Sequence, residues 1–429
     1  MSDPASPAPP AVSDQARLLL IAAAAVLFIL FGLAVDGPGA SIRGLGAIMT
    51  VRDTLITDYI GVGGIGGAFL NAGTVTLIAA LLYHLSGAKI GGAAIASLSL
   101  VLGFALFGKN LLNVWFIVAG VWIYARLKGD PFSAHINTAF FGAALAPIFT
   151  EILFSSALTP AVALPLAVVT SLAAGFILVP AAAQLFKAHM GFSLYNMGFT
   201  AGIVGTLIVA VYKSYGFVPD PVFIWSRGNN LLLGIALYVL LAAMAAAGLA
   251  IDRGAIARLP AIWRQSGQSP SDFTESAGLG ATLVNMATTG AIATSYVLLV
   301  GGDINGPTIG AILTVVGFSA YGKHAANIVP VMAGVFLGSL FKPFGVSDPS
   351  IVLAALFGTT LAPIAGRFGW HWGIIAGVVH SSAALSVGFL HGGLNLYNNG
   401  FAAGIVAAVI APVAIALTQK AAGTEEPEK

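Results

Sequence analysis

The chain has 429 residues, 58% of them hydrophobic and only 8% charged, with a mean hydropathy of +0.94. A soluble domain carries about 25% charged residues, so this chain cannot cover a water-facing surface and must present apolar side chains to lipid. A net charge of +2 makes no case for nucleic acid, and the absence of Cys excludes disulfides, thiol catalysis and thiolate metal sites.

Residues 1–16 are rich in Pro, Ser and Ala and read as a disordered tail without the basic start of a signal peptide. The segment 17–35 then reads as a retained first span. A helix needs about 20 apolar residues to cross the hydrocarbon core. Further apolar segments lie near 64–85, 90–107, 111–127, 136–154, 161–186, 194–212, 229–251, 278–300, 304–321, 325–341, 350–365, 371–390 and 395–417. Those at 90–107, 111–127, 304–321 and 325–341 sit at the lower limit. The one at 350–365 falls below it, and 136–154 contains Pro147. Short or Pro-interrupted apolar segments are candidates for broken or re-entrant helices. The expectation is therefore an all-α membrane bundle of about 12–14 apolar segments. The polar stretches 36–57 and 252–275 read as loops, and 421–429 as a second disordered tail. Arg253, Arg258 and Arg264 in the second loop suggest the cytoplasmic side.

The chain is duplicated. Residues 58–121 align without a gap on 272–335, with about one position in three identical. "GFALFGKNLLN" from Gly103 falls on "GFSAYGKHAAN" from Gly317, and "FFGAALAPI" from Phe140 on "LFGTTLAPI" from Leu356. "HMGFSLYNMGFTAGIVG" from His189 falls on "HGGLNLYNNGFAAGIVA" from His391. Residues 17–228 form one copy and 229–420 the other. Seven crossings per copy invert the copies. Six crossings with a re-entrant segment leave them parallel. Inversion is the expectation, from its frequency among transporters.

Polar groups inside apolar segments are costly unless partnered, and both copies keep the same few. Lys109 and Lys323 each stand midway through an apolar stretch. Either they lie in surface turns, the reading favoured by snorkelling, or they reach the interior and meet an anion. Asn113 and Asn327 follow one helical turn later. They donate hydrogen bonds either to a solute or, the favoured reading, between helices. Tyr195, Asn196, Tyr397 and Asn398 precede GxxxG pairs that let helices approach closely. The alternative for that motif is an anion at a helix start. Asn71 and Asn285 form a second tier, and Asp58 and Asp272 read as helix caps. His380 reads as a structural histidine, with a proton relay as the alternative. Glu151 is the one acid expected to lie deep, which favours a channel or uniporter, or coupling through backbone carbonyls and Asn.

At "DYIGVGGIGGAFLNAG", "GFSAYGKHAANIVPVMAGV" and the paired "LYNxGFxAGIV", nearly the whole chain resembles the bacterial multi-pass membrane family called domain of unknown function 1576. That implies a membrane location, in a bacterium the inner membrane, and no activity. The aromatic-Asn-x-Gly element opening a short helix in each half also resembles urea transporters, which fold as inverted repeats around a pore. The chain lacks their "LPxxTxPF" type of signature, so this second likeness bears on architecture and not on urea. The function expected is a channel or carrier for a small polar or anionic solute, with its path between the repeats. A non-transporting scaffold is the alternative, and an intramembrane enzyme is disfavoured because no nucleophile–base or metal constellation is visible. The partners expected are the solute and the bilayer, without nucleic acid, metal or cofactor, and with homo-oligomerisation open.

Overall fold

The computed structural model describes residues 9–421. The first half contains α1 (Asp14–Asp36), α2 (Pro38–Thr50), α3 (Tyr59–Ser86), α4 (Gly92–Phe104), α5 (Val114–Lys128), α6 (Ile136–Gly142), α7 (Pro147–Leu153), α8 (Pro160–His189) and α9 (Asn196–Ser214). The second contains α10 (Asn230–Ile251), α11 (Ala255–Trp263), α12 (Phe273–Ser276), α13 (Gly278–Leu299), α14 (Gly306–Phe318), α15 (Ala325–Ser339), α16 (Pro349–Gly358), α17 (Ala362–Phe368), α18 (Trp370–Val387) and α19 (Asn398–Ala421). A two-residue parallel pairing of β1 (Ile56–Thr57) with β2 (Phe223–Ile224) ties the start of α3 to the link between halves. The two polar loops are not structureless, since α2 lies within 36–57 and α11 within 252–275. The expected N-terminal tail is also shorter, because α1 begins at Asp14, with the Ser13 side chain accepting from the Ala16 N–H. The rest of that tail, residues 1–8, and the C-terminal tail 422–429 lie outside the described residues.

Among the described residues, eight apolar helices are long enough to cross a membrane, and α6 with α7 makes a ninth candidate bent by 42°. Leu27 on α1, Val169 on α8 and Val239 on α10 are each more than half exposed, which suits lipid contact. The protein is a polytopic membrane bundle. By contrast α4 and α14 are buried almost entirely and have 13 residues each. At 1.5 Å per residue they measure about 20 Å, short of the roughly 30 Å core.

The two halves share one plan. On α1, Gly32 meets Gly66, and Ala25 meets Gly73; on α10, Gly248 meets Gly280, and Leu241 meets Gly290. Each of these pairs is antiparallel. Gly64 and its equivalent Gly278 have φ of 74° and 83°, so a glycine breaks the helix at the same point in both copies. Across the seam α4 packs on its own equivalent α14. Gly103 stands against Gly310 and Gly317 against Ala96, while Gly92 meets Ala320 and Gly306 meets Leu106. Low numbers on one helix meet high numbers on the other, so the equivalents run in opposite directions. The twofold axis relating the repeats is therefore perpendicular to these helices. With the long helices as spans, that axis lies in the membrane plane and the repeats are inverted.

The repeats exchange caps. Asp58 at the start of α3 accepts from the N–H of Gly306, the first residue of α14, at 3.1 Å. Asp272 accepts from the N–H of Gly92, the first residue of α4, at 2.7 Å. Each half-helix thus starts on a carboxylate from the opposite repeat, which suits the positive end of the helix dipole.

Candidate functional site

The tips that follow α4 and α14 define the centre of the molecule. Gly108 and Gly322 turn the chain, and Lys109 and Lys323 come next. Both lysines are fully buried, so the surface-turn reading fails. The depth comes from α3 and α13. Asn71 donates to the carbonyls of Ala105 and Lys109 at 2.7 and 2.9 Å, and Asn285 to those of Ser319 and Lys323 at 2.9 and 2.8 Å. Each tip is thereby held to the flank of a long span. Asn113 and Asn327 close the tips from inside by donating to the carbonyls of Gly108 and Gly322, at 3.0 and 2.9 Å. These four asparagines support the tips, and none lines either cavity described below.

Between the tips lies an aromatic cluster built from equivalent pairs. The rings of Tyr195 and Tyr397 are 5.0 Å apart across the axis. Phe318 lies 4.6 Å from Tyr195, and Phe104 lies 4.8 Å from Tyr397. Phe357 and its equivalent Phe141 flank Phe104 and Phe318 at 5.8 and 5.5 Å. The helices that deliver the tyrosines, α9 and α19, touch at Gly198 and Gly400, where a Cβ on either would stand 2.9–3.0 Å from the other's Cα. The GxxxG reading thus describes a real close approach.

The lysines sit behind this cluster in unequal surroundings. Lys323 Nζ donates to the Tyr195 hydroxyl and, at 2.8 Å, to Thr359 Oγ1, and lies 4.5 Å from the Tyr195 ring centroid. Among the described residues, Lys109 Nζ has one acceptor, the Phe140 carbonyl at 3.0 Å, with the Phe104 ring at 5.2 Å. Ala143 stands where repeat 2 has Thr359, and the buried Tyr397 hydroxyl has no partner among the described residues. An ammonium has three donors, so Lys109 keeps spare donor capacity.

Two cavities flank the aromatic cluster. One, of about 490 Å³, is lined among others by Asn137, Phe141, Phe186, Tyr195, Asn196 and Phe318. The other, of about 140 Å³, is lined among others by Leu353, Phe357, Gly388, Leu396, Asn398 and Asn399. Their linings are equivalent, with Asn137 corresponding to Leu353, Phe141 to Phe357, Phe186 to Gly388 and Asn196 to Asn398. Both repeats contribute to each, through Ser269 and Tyr321 in the larger and Leu55 and Phe107 in the smaller. The larger cavity reaches the tyrosine pair and the smaller stops short of it.

The sequence profile of a family described as protein of unknown function, DUF1576, matches residues 38–214 and 251–416. The chain belongs to the DUF1576 family. The split match falls on the two repeats of this DUF1576 protein. No curated protein and no solved structure matches it, so the likeness to urea transporters gains no support.

The geometry also explains the motif repeated in this DUF1576 chain. His189 Nε2 donates to Asn196 Oδ1 at 3.0 Å, and His391 Nε2 to Asn398 Oδ1 at 3.0 Å. The amides then donate to the Ala182 and Ala384 carbonyls at 3.2 and 2.8 Å. Each histidine fixes an asparagine at the start of α9 or α19, facing a cavity. His380 bonds Asn399 at 3.2 Å in the wall of the smaller cavity. Sequence reasoning gave no role to Phe104, Phe318, Phe141 or Phe357, although their retention in both copies was a usable signal. It also missed Asp53, a buried acid in a segment read as loop.

Proposed function

We propose that this protein is a channel or carrier for a small polar or anionic solute, with the path along the seam between its repeats. The observation that carries the reading is the pair of equivalent cavities approaching one aromatic cluster from two sides. A scaffold has no need of two equivalent cavities at its symmetry axis. Inversion of the repeats turns the two mouths towards opposite faces of the membrane, in a bacterium the inner membrane. A volume of about 490 Å³ suits a small molecule. Lys109, with spare donors beside the cluster, favours an anionic or strongly hydrogen-bonding solute. Tyr195 and Tyr397 form the barrier, and Asn196 and Asn398 offer amides in the cavities. Asn71, Asn113, Asn285 and Asn327 act indirectly, by holding the tips. The reading is non-enzymatic.

The unequal cavities of an otherwise symmetric machine favour a carrier caught with one side closed over a continuously open channel. The test is flux into liposomes containing the purified protein, screened with small neutral and anionic solutes. At least one solute should enter faster than into empty liposomes, and Lys109→Ala should cut that flux at least tenfold. A transported solute whose flux ignores Lys109→Ala and Tyr397→Ala alike removes the path from the seam.

A further inference from the structure

Asp53 lies in the connection between α2 and α3, and its side chain is wholly buried. Oδ2 accepts from Asn110 Nδ2 and Asn113 Nδ2, both at 3.1 Å, and from Thr150 Oγ1 at 3.0 Å. Among the described residues, Oδ1 has no hydrogen-bond partner. The neighbouring cation, Arg52, turns instead to Asp220 at 2.9 Å and Glu151 at 3.8 Å. Tyr59 from α3 completes the surroundings, its hydroxyl accepting from the same Asn110 amide at 3.1 Å and interacting with the Asp53 carboxyl.

Repeat 2 builds the same support without a carboxyl. Gly267 is equivalent to Asp53, His324 to Asn110, Gly366 to Thr150 and Phe273 to Tyr59. There His324 bonds the Gln265 carbonyl at 2.9 Å, and Asn327 donates to the Ser266 carbonyl at 3.5 Å. Backbone oxygen is sufficient to hold a tip in place. Asp53 therefore supplies something a carbonyl does not, namely an oxygen that can take up and release a proton. A buried charge without a counter-ion is costly.

We propose that Asp53 is a proton-binding carboxyl whose loading and release move the repeat 1 tip and so couple solute flux to protons. This rests on the transport reading above. The step is simple: a proton from water adds to Oδ1 of the carboxylate, giving the neutral acid, and later returns to water. Glu151 offers a step towards the surface. Glu151 follows Thr150 and has a buried Oε2 without a partner, while its Oε1 accepts from the N–H of the exposed Asp220 at 2.9 Å. Three donors on Oδ2 favour the charged form of Asp53 and burial favours the neutral one, an opposition that lets such a group change state. Ionised, Asp53 holds Asn110 and Asn113 through charge-assisted bonds, immediately after Lys109. Protonation weakens those bonds and loosens the tip.

The first test needs no transported solute. Infrared difference spectra of the full-length protein in nanodiscs, titrated with pH, should show a protonated-carboxyl C=O band that is lost in Asp53→Asn and kept in Glu151→Gln. Asp53→Asn retains an acceptor oxygen, and Asp53→Gly, copying repeat 2, replaces it if that variant does not fold. The second test uses liposomes and any solute the wild type carries. An inward proton gradient should speed wild-type flux several-fold, and the ratio of flux with and without the gradient should fall to one in Asp53→Asn. A band from Asp53 with no flux of any solute would sink the transport reading but leave the proton site standing. No Asp53 band at any pH overturns the proposal, and so does thermal stabilisation by Na⁺ that vanishes in Asp53→Asn, which would make this a metal-cation site.

Discussion

Lys323 and Lys109 began as copies of one side chain and now differ in what compensates them. A lysine at the bilayer centre costs about 2.5–3.5 kcal/mol on insertion scales. Hydrogen bonds to charged groups return roughly 1.5–3 kcal/mol each. Lys323 has two, plus two aromatic faces, so its burial is largely offset. Lys109 has one carbonyl and one ring and is left short. Lys323→Met should therefore destabilise the protein by about 2–3 kcal/mol, because Tyr195 and Thr359 lose their partner. Lys109→Met should be close to neutral in stability yet cut flux at least tenfold. Thermal unfolding in detergent and liposome flux, measured on both variants, check the pair; equal destabilisation would show that the asymmetry carries no energy. None of this inequality was legible in the sequence, where both lysines stand in the same motif. It comes from Thr359 standing in repeat 2 where repeat 1 has Ala143, a difference that matters only once the tips are folded against α6 and α16. The burial was equally hidden, since depth depends on Asn71 and Asn285, far away in the chain.

At the scale of elements, the half-helices α4 and α14 are the parts most dependent on the opposite repeat. Each starts on the other's aspartate, and removing such a cap costs about 1–2 kcal/mol. Asp272→Ala should speed hydrogen exchange at the first amides of α4 while leaving the start of α14 unchanged, and Asp58→Ala should do the reverse. Exchange mass spectrometry reads both, and equal effects on the two helices would contradict the crossed capping. Gly198→Val places a methyl-bearing carbon against the backbone of Gly400 and should separate α9 from α19, abolishing flux and lowering the unfolding temperature. The presence and order of nearly all these elements could be read from apolar runs and from the internal repeat. Sequence reasoning failed on α2 and α11, because short helices among polar residues leave no span-length signal. It failed on Asp53 for a related reason, since an acid next to Arg52 and outside any apolar run looks like surface.

For the whole molecule, inversion is the property from which the rest follows. Shared motifs established two copies but left their relative direction to a count of crossings, and short segments made that count ambiguous. The antiparallel register of α4 against α14 resolves it, because equivalent helices that run in opposite directions require an axis across them. On the proposed transport reading, the two equivalent cavities belong to opposite faces, and the tyrosine pair between them is the barrier. The absence of native cysteine makes this directly measurable. Phe186 and Gly388 are equivalent positions, one lining each cavity. In sealed vesicles of known orientation, Phe186→Cys and Gly388→Cys should each react with a membrane-impermeant thiol reagent from one side only, and from opposite sides. Labelling of both from the same side would contradict a path through the seam.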